Sequence, residues 1–279
     1  SIHAQHRSGY SFPNLSVFVP DTINVPVSQS TLSSLPPNRV KVISNSFSGV
    51  IDSLHYTFEN ALATQAGQTY PDKHFVTTEG PRGPNTITKY STLFFFEGDT
   101  ISILKRGKTG AKCELLVNEI NSTHIQSVQN NTGSLVQITY IFPDTLRKLI
   151  RLNMNSDFYF GGVIPDSDGR ISKVNKKNRT KVALIMDSYG KGTGSSDAIL
   201  TGFACRMEKM LRYGYEFSFS ALGGTGYVST GNGKINYLDS TRLSQFEWFK
   251  PDIIWIIGSV NDNHHLTAIK DSAAIGYAR

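Results

Sequence analysis

Three strand-sized segments constrain the last third of this 279-residue chain more tightly than any other feature. They are Val182 to Met186, Phe217 to Ala221 and Ile253 to Ile257, and each leads into a loop rich in Ser, Gly, Asn or Asp. A run with no polar alternation, as at 253–257, suits a parallel strand covered on both faces. Asp197 is placed to cap a helix reaching Tyr213, because Ile199, Leu200, Phe203, Met207, Met210 and Leu211 recur at helical spacing. Gly214 is its stop. A second helix is expected over Leu243 to Phe249, ahead of Pro251, and a third over His265 to Ala278. Strand, helix, strand, helix, strand implies right-handed crossovers and a doubly wound parallel sheet.

The preceding stretch has another texture. From about 79 to 177, short apolar runs alternate with turn residues: Leu93–Phe96, Thr100–Lys105, Cys113–Val117, Ile125–Val128, Leu135–Ile141, Lys148–Leu152 and Phe158–Val163. Short strands at such intervals predict an all-β sandwich, of which a jelly roll is the choice made here. Residues 1–78 are rich in Ser, Pro and Asn and carry no assignable fold. An extended arm, an oligomerisation segment or part of the next domain are all open there. Within them Leu54, Phe58 and Leu62 predict a helix over 52–63. A polar linker, Pro165 to Thr180, leads to the α/β part, 178–279.

Composition excludes several classes. No apolar run nears the roughly 18 residues that span a bilayer. The N-terminal SIHAQHRSGYSFPN has no apolar core of a signal peptide, although a trimmed secreted chain would read the same. Net charge is a mild +6, and the one basic cluster (Lys173, Lys176, Lys177, Arg179, Lys181) lacks the interleaved aromatics of a nucleic-acid surface. It reads as solvated linker, with an anionic polysaccharide as the other partner it would suit. Cys113 and Cys205 fall in different parts and show no metal-binding spacing, so neither a disulfide nor a metal or other cofactor is expected. Cys205 reads as a small core residue. Sequons stand at Asn14, Asn121, Asn130 and Asn178 and matter only on a eukaryotic secretory route.

The chemistry concentrates at the ends of the three strands, where ligands bind in open α/β sheets. Met186-Asp187-Ser188-Tyr189-Gly190 follows the first. It can expose a hydroxyl and a backbone N–H, or it can simply cap a helix. Leu222-Gly223-Gly224-Thr225-Gly226 follows the second, where glycines let N–H groups approach a ligand or merely form a turn. A phosphate loop is set aside, since the Lys-Ser/Thr pair and the G-x-G-x-x-G pattern are both missing. Gly258-Ser259-Val260-Asn261-Asp262 follows the third, with a side-chain amide able to donate to an oxyanion, or a common turn former.

Taken in order, these motifs resemble blocks I to III of the SGNH or GDSL hydrolase family. The resemblance implies Ser188 as nucleophile and first oxyanion donor, Gly224 (or Gly223) as the second, and Asn261 as the third. Asp187 and Asp262 would hold the loops without reacting. Two departures stand out: Met186 replaces the usual Gly of block I, and the D-x-x-H that carries the family's base is expected well beyond block III. The chain has one D-x-x-H, Asp262-Asn263-His264-His265, adjoining block III. His265 or His264 is therefore a candidate base, while the more economical reading is a fragment whose base lies outside it. The other histidines read as structural or exposed.

The expected architecture is thus an SGNH-like three-layer parallel-sheet domain, truncated at its C-terminal side, preceded by a jelly-roll-like sandwich that would bind carbohydrate. The expected activity is O-deacylation of a polysaccharide or small ester through an acyl-serine. The expected location is extracellular, secreted or on a virion, as in phage tail-spike deacetylases, with a homo-oligomer, a trimer in the tail-protein case. The alternative is a non-catalytic binding or structural virion protein with an incomplete SGNH part.

Overall fold

A computed structural model describes residues 24–265 except 46–49, 52–53, 61–62, 70, 79–88, 108–109, 128–132, 156, 176–178, 192–201, 212–213, 232, 245 and 259. The expected boundary at 177/178 falls on residues outside this set, as do residue 79 of the boundary at 78/79, the expected helix cap Asp197 and the expected helix beyond His265.

The first part is β throughout: β1 (Val27–Leu32), β2 (Ile43–Asn45), β3 (Val50–Ile51), β4 (Thr57–Glu59), β5 (Ala63–Gln65), β6 (Val76–Thr78), β7 (Lys89–Glu97), β8 (Thr100–Gly107), β9 (Lys112–Val117), β10 (Ile120–Ser127), β11 (Leu135–Ile141), β12 (Lys148–Asn155), β13 (Phe158–Pro165) and β14 (Arg170–Lys173). One antiparallel sheet runs β1-β11-β8-β13-β6-β5. The other runs β10-β9-β12-β7-β14, with β4 also pairing β7. Alternation sets the inner faces: Phe94, Phe96, Ile150, Leu152 and Met154 from one sheet share a buried cluster with Ile101, Ile103, Ile138 and Phe160 from the other. The helix expected over 52–63 is not formed. Thr57–Glu59 pairs with Ser91–Leu93 as strand, because ladder pairing and burial of Tyr56 and Phe58 in that cluster override a weak four-residue periodicity. Residues 27–78, without a fold in the sequence reading, supply β1 and β4 to β6 to the two sheets.

The second part contains β15 (Thr180–Met186), α1 (Ser188–Lys191), α2 (Phe203–Leu211), β16 (Tyr215–Ala221), α3 (Ser240–Ser244), β17 (Ile253–Ile256) and a 3-10 segment, Val260–His265. The sheet is parallel in the order β16-β15-β17. The chain leaves β15 toward one neighbour and returns to the other, so the C-terminal end of β15 is a topological switch point, the place where ligands bind in open α/β sheets. One face of the sheet buries Val182, Leu184, Met186 and Phe217 with Ala204 of α2, and the other buries Ala183 and Ile185 with Tyr237 and Phe246.

Three details differ from the sequence expectation. The second helix starts at Ser240 rather than Leu243, since the Asp239 carboxylate accepts the Thr241 N–H at 2.8 Å and caps it. Strand β17 was expected to be covered on both faces, yet Ile253, Ile254 and Trp255 are 36%, 50% and 37% exposed. It lies at the sheet edge, where the described residues cover only part of it. Helix α2 buries Ala204, Cys205 and Glu208 and exposes Phe203 and Met210.

The last difference has a cause in the packing of the two parts. The outer face of the second β sheet carries Lys89, Ser91, Glu114, Arg151 and Asn153, which alternation would assign to solvent, and every one is buried. Helix α2 covers them. Glu208 pairs with Lys89 and accepts Asn60 Nδ2 at 3.0 Å. Lys209 Nζ donates to Glu114 Oε1 at 2.7 Å, and Asn153 Nδ2 to Glu114 Oε2 at 2.9 Å. Arg151 donates to Glu59 Oε2 at 2.8 Å, and Arg179 also pairs with Glu59. Burial opposes ionisation of Glu208, but Lys89 and Arg151 outweigh it and hold its carboxyl below the usual range. A buried ionic seam adds little net stability, yet each charge demands its own partner, so it favours one docking of the two parts. Among the described residues no helix is long and apolar enough to cross a membrane.

Candidate functional site

Strand β15 delivers Asp187 and Ser188 to the switch point. Asp187 is 2% exposed and its Oδ1 accepts the Tyr189 N–H at 2.9 Å, which caps the short α1 and fixes where Ser188 stands. Ser188 is half-buried, and Tyr189 beside it is exposed. The hydroxyl-bearing residue is therefore at the protein surface rather than in the core.

Strand β16 delivers the glycines. The Thr225 N–H donates to the Leu222 carbonyl at 3.3 Å, closing a four-residue turn with Gly224 third at φ +79°. That angle is what a type II turn requires, and glycine meets it without strain. Gly223 faces the loop after β15: a Cβ added to it would lie 3.5 Å from Ser188 Cβ.

Strand β17 delivers Asn261 and Asp262. Asn261 Nδ2 donates to the Thr225 carbonyl at 2.9 Å and to Asp187 Oδ2 at 3.3 Å, so one amide group joins the loops after all three strands. The Asp262 carboxylate is 3% exposed and accepts three backbone N–H groups: Tyr227 at 2.8 Å, Val228 at 3.1 Å and Ser229 at 3.0 Å. A side chain at Gly226 would collide with that carboxylate. The backbone of His265 closes the 3-10 segment, and its side chain is outside the described atoms.

Two cations that the sequence reading passed over belong to this site. Arg242 of α3 has no exposed surface and lies beneath the loops after β15 and β16. Its guanidinium donates to the Met186 carbonyl (2.5 Å), the Ser220 carbonyl (2.6 Å), Ser220 Oγ (2.9 Å) and Thr225 Oγ1 (2.9 Å). Its Cζ also lies 4.9 Å from the centroid of the Tyr237 ring. Burial pulls the guanidinium down to about 10, against the pull of Tyr237 and Asp187. The second cation is Lys234, whose Nζ donates to the Gly223 carbonyl at 2.6 Å. Neither residue carries a local signal, since a lone Arg in a short helix or a Lys in a Gly-Asn loop reads as exposed. Among the described residues no group of three or more His, Cys, Asp or Glu is arranged to hold a metal ion.

Chemically, the arrangement combines a hydroxyl-bearing residue at the switch point with a glycine turn beside it. An Asp-Asn-Asp set of hydrogen bonds and a buried guanidinium fix the loops from behind. No family model and no curated protein matches the sequence. Solved structures do match. A family two carbohydrate esterase from Clostridium thermocellum in complex with cellohexaose aligns at TM-score 0.53 and 16% identity, over 74% of this chain and 66% of that one. An active-site mutant of such an esterase from the same organism aligns at 0.54 and 14%, over 75% and 67%. An acetyl xylan esterase from the rumen bacterium Butyrivibrio proteoclasticus aligns at 0.53 and 14%, over 86% and 65%. The chain thus spans about two thirds of the length of these esterases, and what it shares with them is a distant but broad similarity of fold.

Proposed function

We propose that the protein is a serine esterase that removes O-acetyl or similar acyl groups from a polysaccharide. The observation that carries this reading is the meeting of three loops at the ends of β15, β16 and β17, held together by Asn261 across Asp187 and Thr225. The esterase fold of the matching structures supports it.

In this reading Ser188 Oγ attacks the ester carbonyl and its proton passes to a histidine base, which then protonates the departing sugar oxygen as its bond to the acyl carbon breaks. Water cleaves the acyl-serine, returning the proton to Ser188 and releasing the acid. The N–H groups of Ser188 and Gly224 receive the oxyanion, with Gly223 the less favoured source of the second donor. Asn261 adds a third by giving up its longer contact, the one to Asp187. Each such donor is typically worth about 2.7–4 kcal/mol of barrier. Asp187 and Asp262 serve as loop anchors, because their oxygens already accept the hydrogen bonds described above. His265 is the candidate base on this chain, three positions after Asp262 on the same loop.

The β sandwich is proposed as a jelly-roll-like carbohydrate-binding module, with the protein acting outside the cell or on a virion surface. The test is hydrolysis of 4-nitrophenyl acetate and of an acetylated polysaccharide by the protein and by Ser188→Ala. The variant is expected to retain only background. Equal rates for the two proteins would overturn the reading and leave a binding or structural role.

A further inference from the structure

We propose that Lys234 is a positioning residue for the oxyanion site, one that aims and polarises the Gly224 N–H; this rests on the esterase reading above. The 223–224 peptide is the centre of the turn Leu222–Thr225, and a trans peptide points its C=O and its N–H in opposite directions. Whatever holds the Gly223 carbonyl therefore sets where the Gly224 N–H points. That carbonyl accepts Lys234 Nζ at 2.6 Å.

The geometry delivering the ammonium is built for this place. The loop from Ser229 to Lys234 folds back on the turn: Ser229 Oγ donates to the Gly224 carbonyl at 2.9 Å, and the Gly226 N–H donates to the Ser229 carbonyl at 3.0 Å. The Lys234 N–H donates to the Thr230 carbonyl at 2.7 Å, which brings its side chain across Gly223. The loop backbone lies close beneath: a Cβ on Gly224 would be 3.4 Å from Gly231 Cα. Two successive carbonyls, of Gly223 and Gly224, are thus both taken from the side of the 229–234 loop. Among the described residues no acceptor takes the Gly224 N–H.

The ammonium does more than a neutral donor would. A charged group on a peptide carbonyl draws electron density from that peptide, and its N–H becomes a stronger donor. An N–H so polarised gains most where negative charge develops, in the transition state, and little toward a neutral ester in the ground state. Loss of Lys234 is therefore read in kcat with KM nearly unchanged.

The experiment compares wild type, Ser188→Ala, Lys234→Met and Lys234→Arg in two measurements. The first is 4-nitrophenyl acetate kinetics. Lys234→Met, which keeps the stem and removes the donor, is expected to lower kcat roughly 10- to 100-fold, short of the full loss of a donor, while Lys234→Arg recovers most of it. The second is the 15N–1H resonance and hydrogen exchange of the Gly224 amide, which needs no turnover. It is expected to shift in Lys234→Met and to stay near wild type in Lys234→Arg. Equal rates for wild type and Ser188→Ala would dispose of the esterase reading alone, and the Gly224 amide would still decide whether Lys234 aims that peptide. An unmoved Gly224 amide in Lys234→Met overturns the inference, as does a moved amide with unchanged kcat in an active enzyme.

Discussion

Replacing Arg242 with Met removes the group that ties together the undersides of the loops after β15 and β16 while keeping most of its volume. The guanidinium makes four hydrogen bonds, to Met186, Ser220 (twice) and Thr225. At the lower end of about 1.5 kcal/mol for a bond to a charged donor, these amount to roughly 6 kcal/mol. Against them stands the cost of burying the cation. The net fall of the guanidinium from its ordinary value to about 10 corresponds to roughly 3 kcal/mol. The difference predicts a destabilisation of about 3 kcal/mol for Arg242→Met. Urea unfolding followed by tryptophan fluorescence is the fitting assay, because both tryptophans, Trp248 and Trp255, lie in the α/β part with Arg242. With a slope of about 2 kcal/mol per molar urea, the midpoint should fall by roughly 1.5 M. Arg242→Lys, keeping one cationic head but not the planar fork, should fall between. A midpoint within about 0.3 M of wild type would show that burial of the cation cancels its bonds, and the argument would be wrong.

Three further outcomes follow from other parts of the structure. Gly226→Ala pushes a methyl into the Asp262 carboxylate and loosens its three backbone bonds; a loss of roughly 3 kcal/mol is expected by the same urea assay, against less than about 1 kcal/mol for Gly214→Ala, whose Cβ meets nothing within 4 Å. Glu208 is held below its ordinary 4.5 in the fold, so its contribution is complete above that value and is lost as pH falls through the folded one. Glu208→Gln should therefore be less stable at pH 7 by about 3–5 kcal/mol, with Lys89 left uncompensated, and its stability should fall less steeply below pH 5 than wild type in an acid titration followed by circular dichroism. Finally, burial pushes the Cys113 thiol up to about 12 and the Cys205 thiol up to about 11, so neither should react with a disulfide reagent at pH 8 until the protein is unfolded.

The sequence by itself determined the local elements whose signal is periodic and strong. Every apolar run from Leu93 to Phe158 marks a strand, and Val182, Phe217 and Ile253 each open a segment of the parallel sheet, because backbone pleat and side-chain alternation are properties of neighbouring residues. The order of the Ser, Gly-Gly and Asn-Asp motifs behind those strands was equally legible. What only the tertiary structure decided is where polar groups go. Lys89, Glu114, Arg151 and Asn153 alternate outward as surface residues should, and α2 buries them because its Glu208 and Lys209 supply the opposite charges from more than fifty positions away in the chain. Arg242 and Lys234 came to the site in the same way, through carbonyls of Met186, Ser220 and Gly223 that no local pattern connects to them. Hydrophobic periodicity reports the face a segment presents, but the partner a charged side chain meets depends on how distant segments dock. That information exists only once the chain has folded.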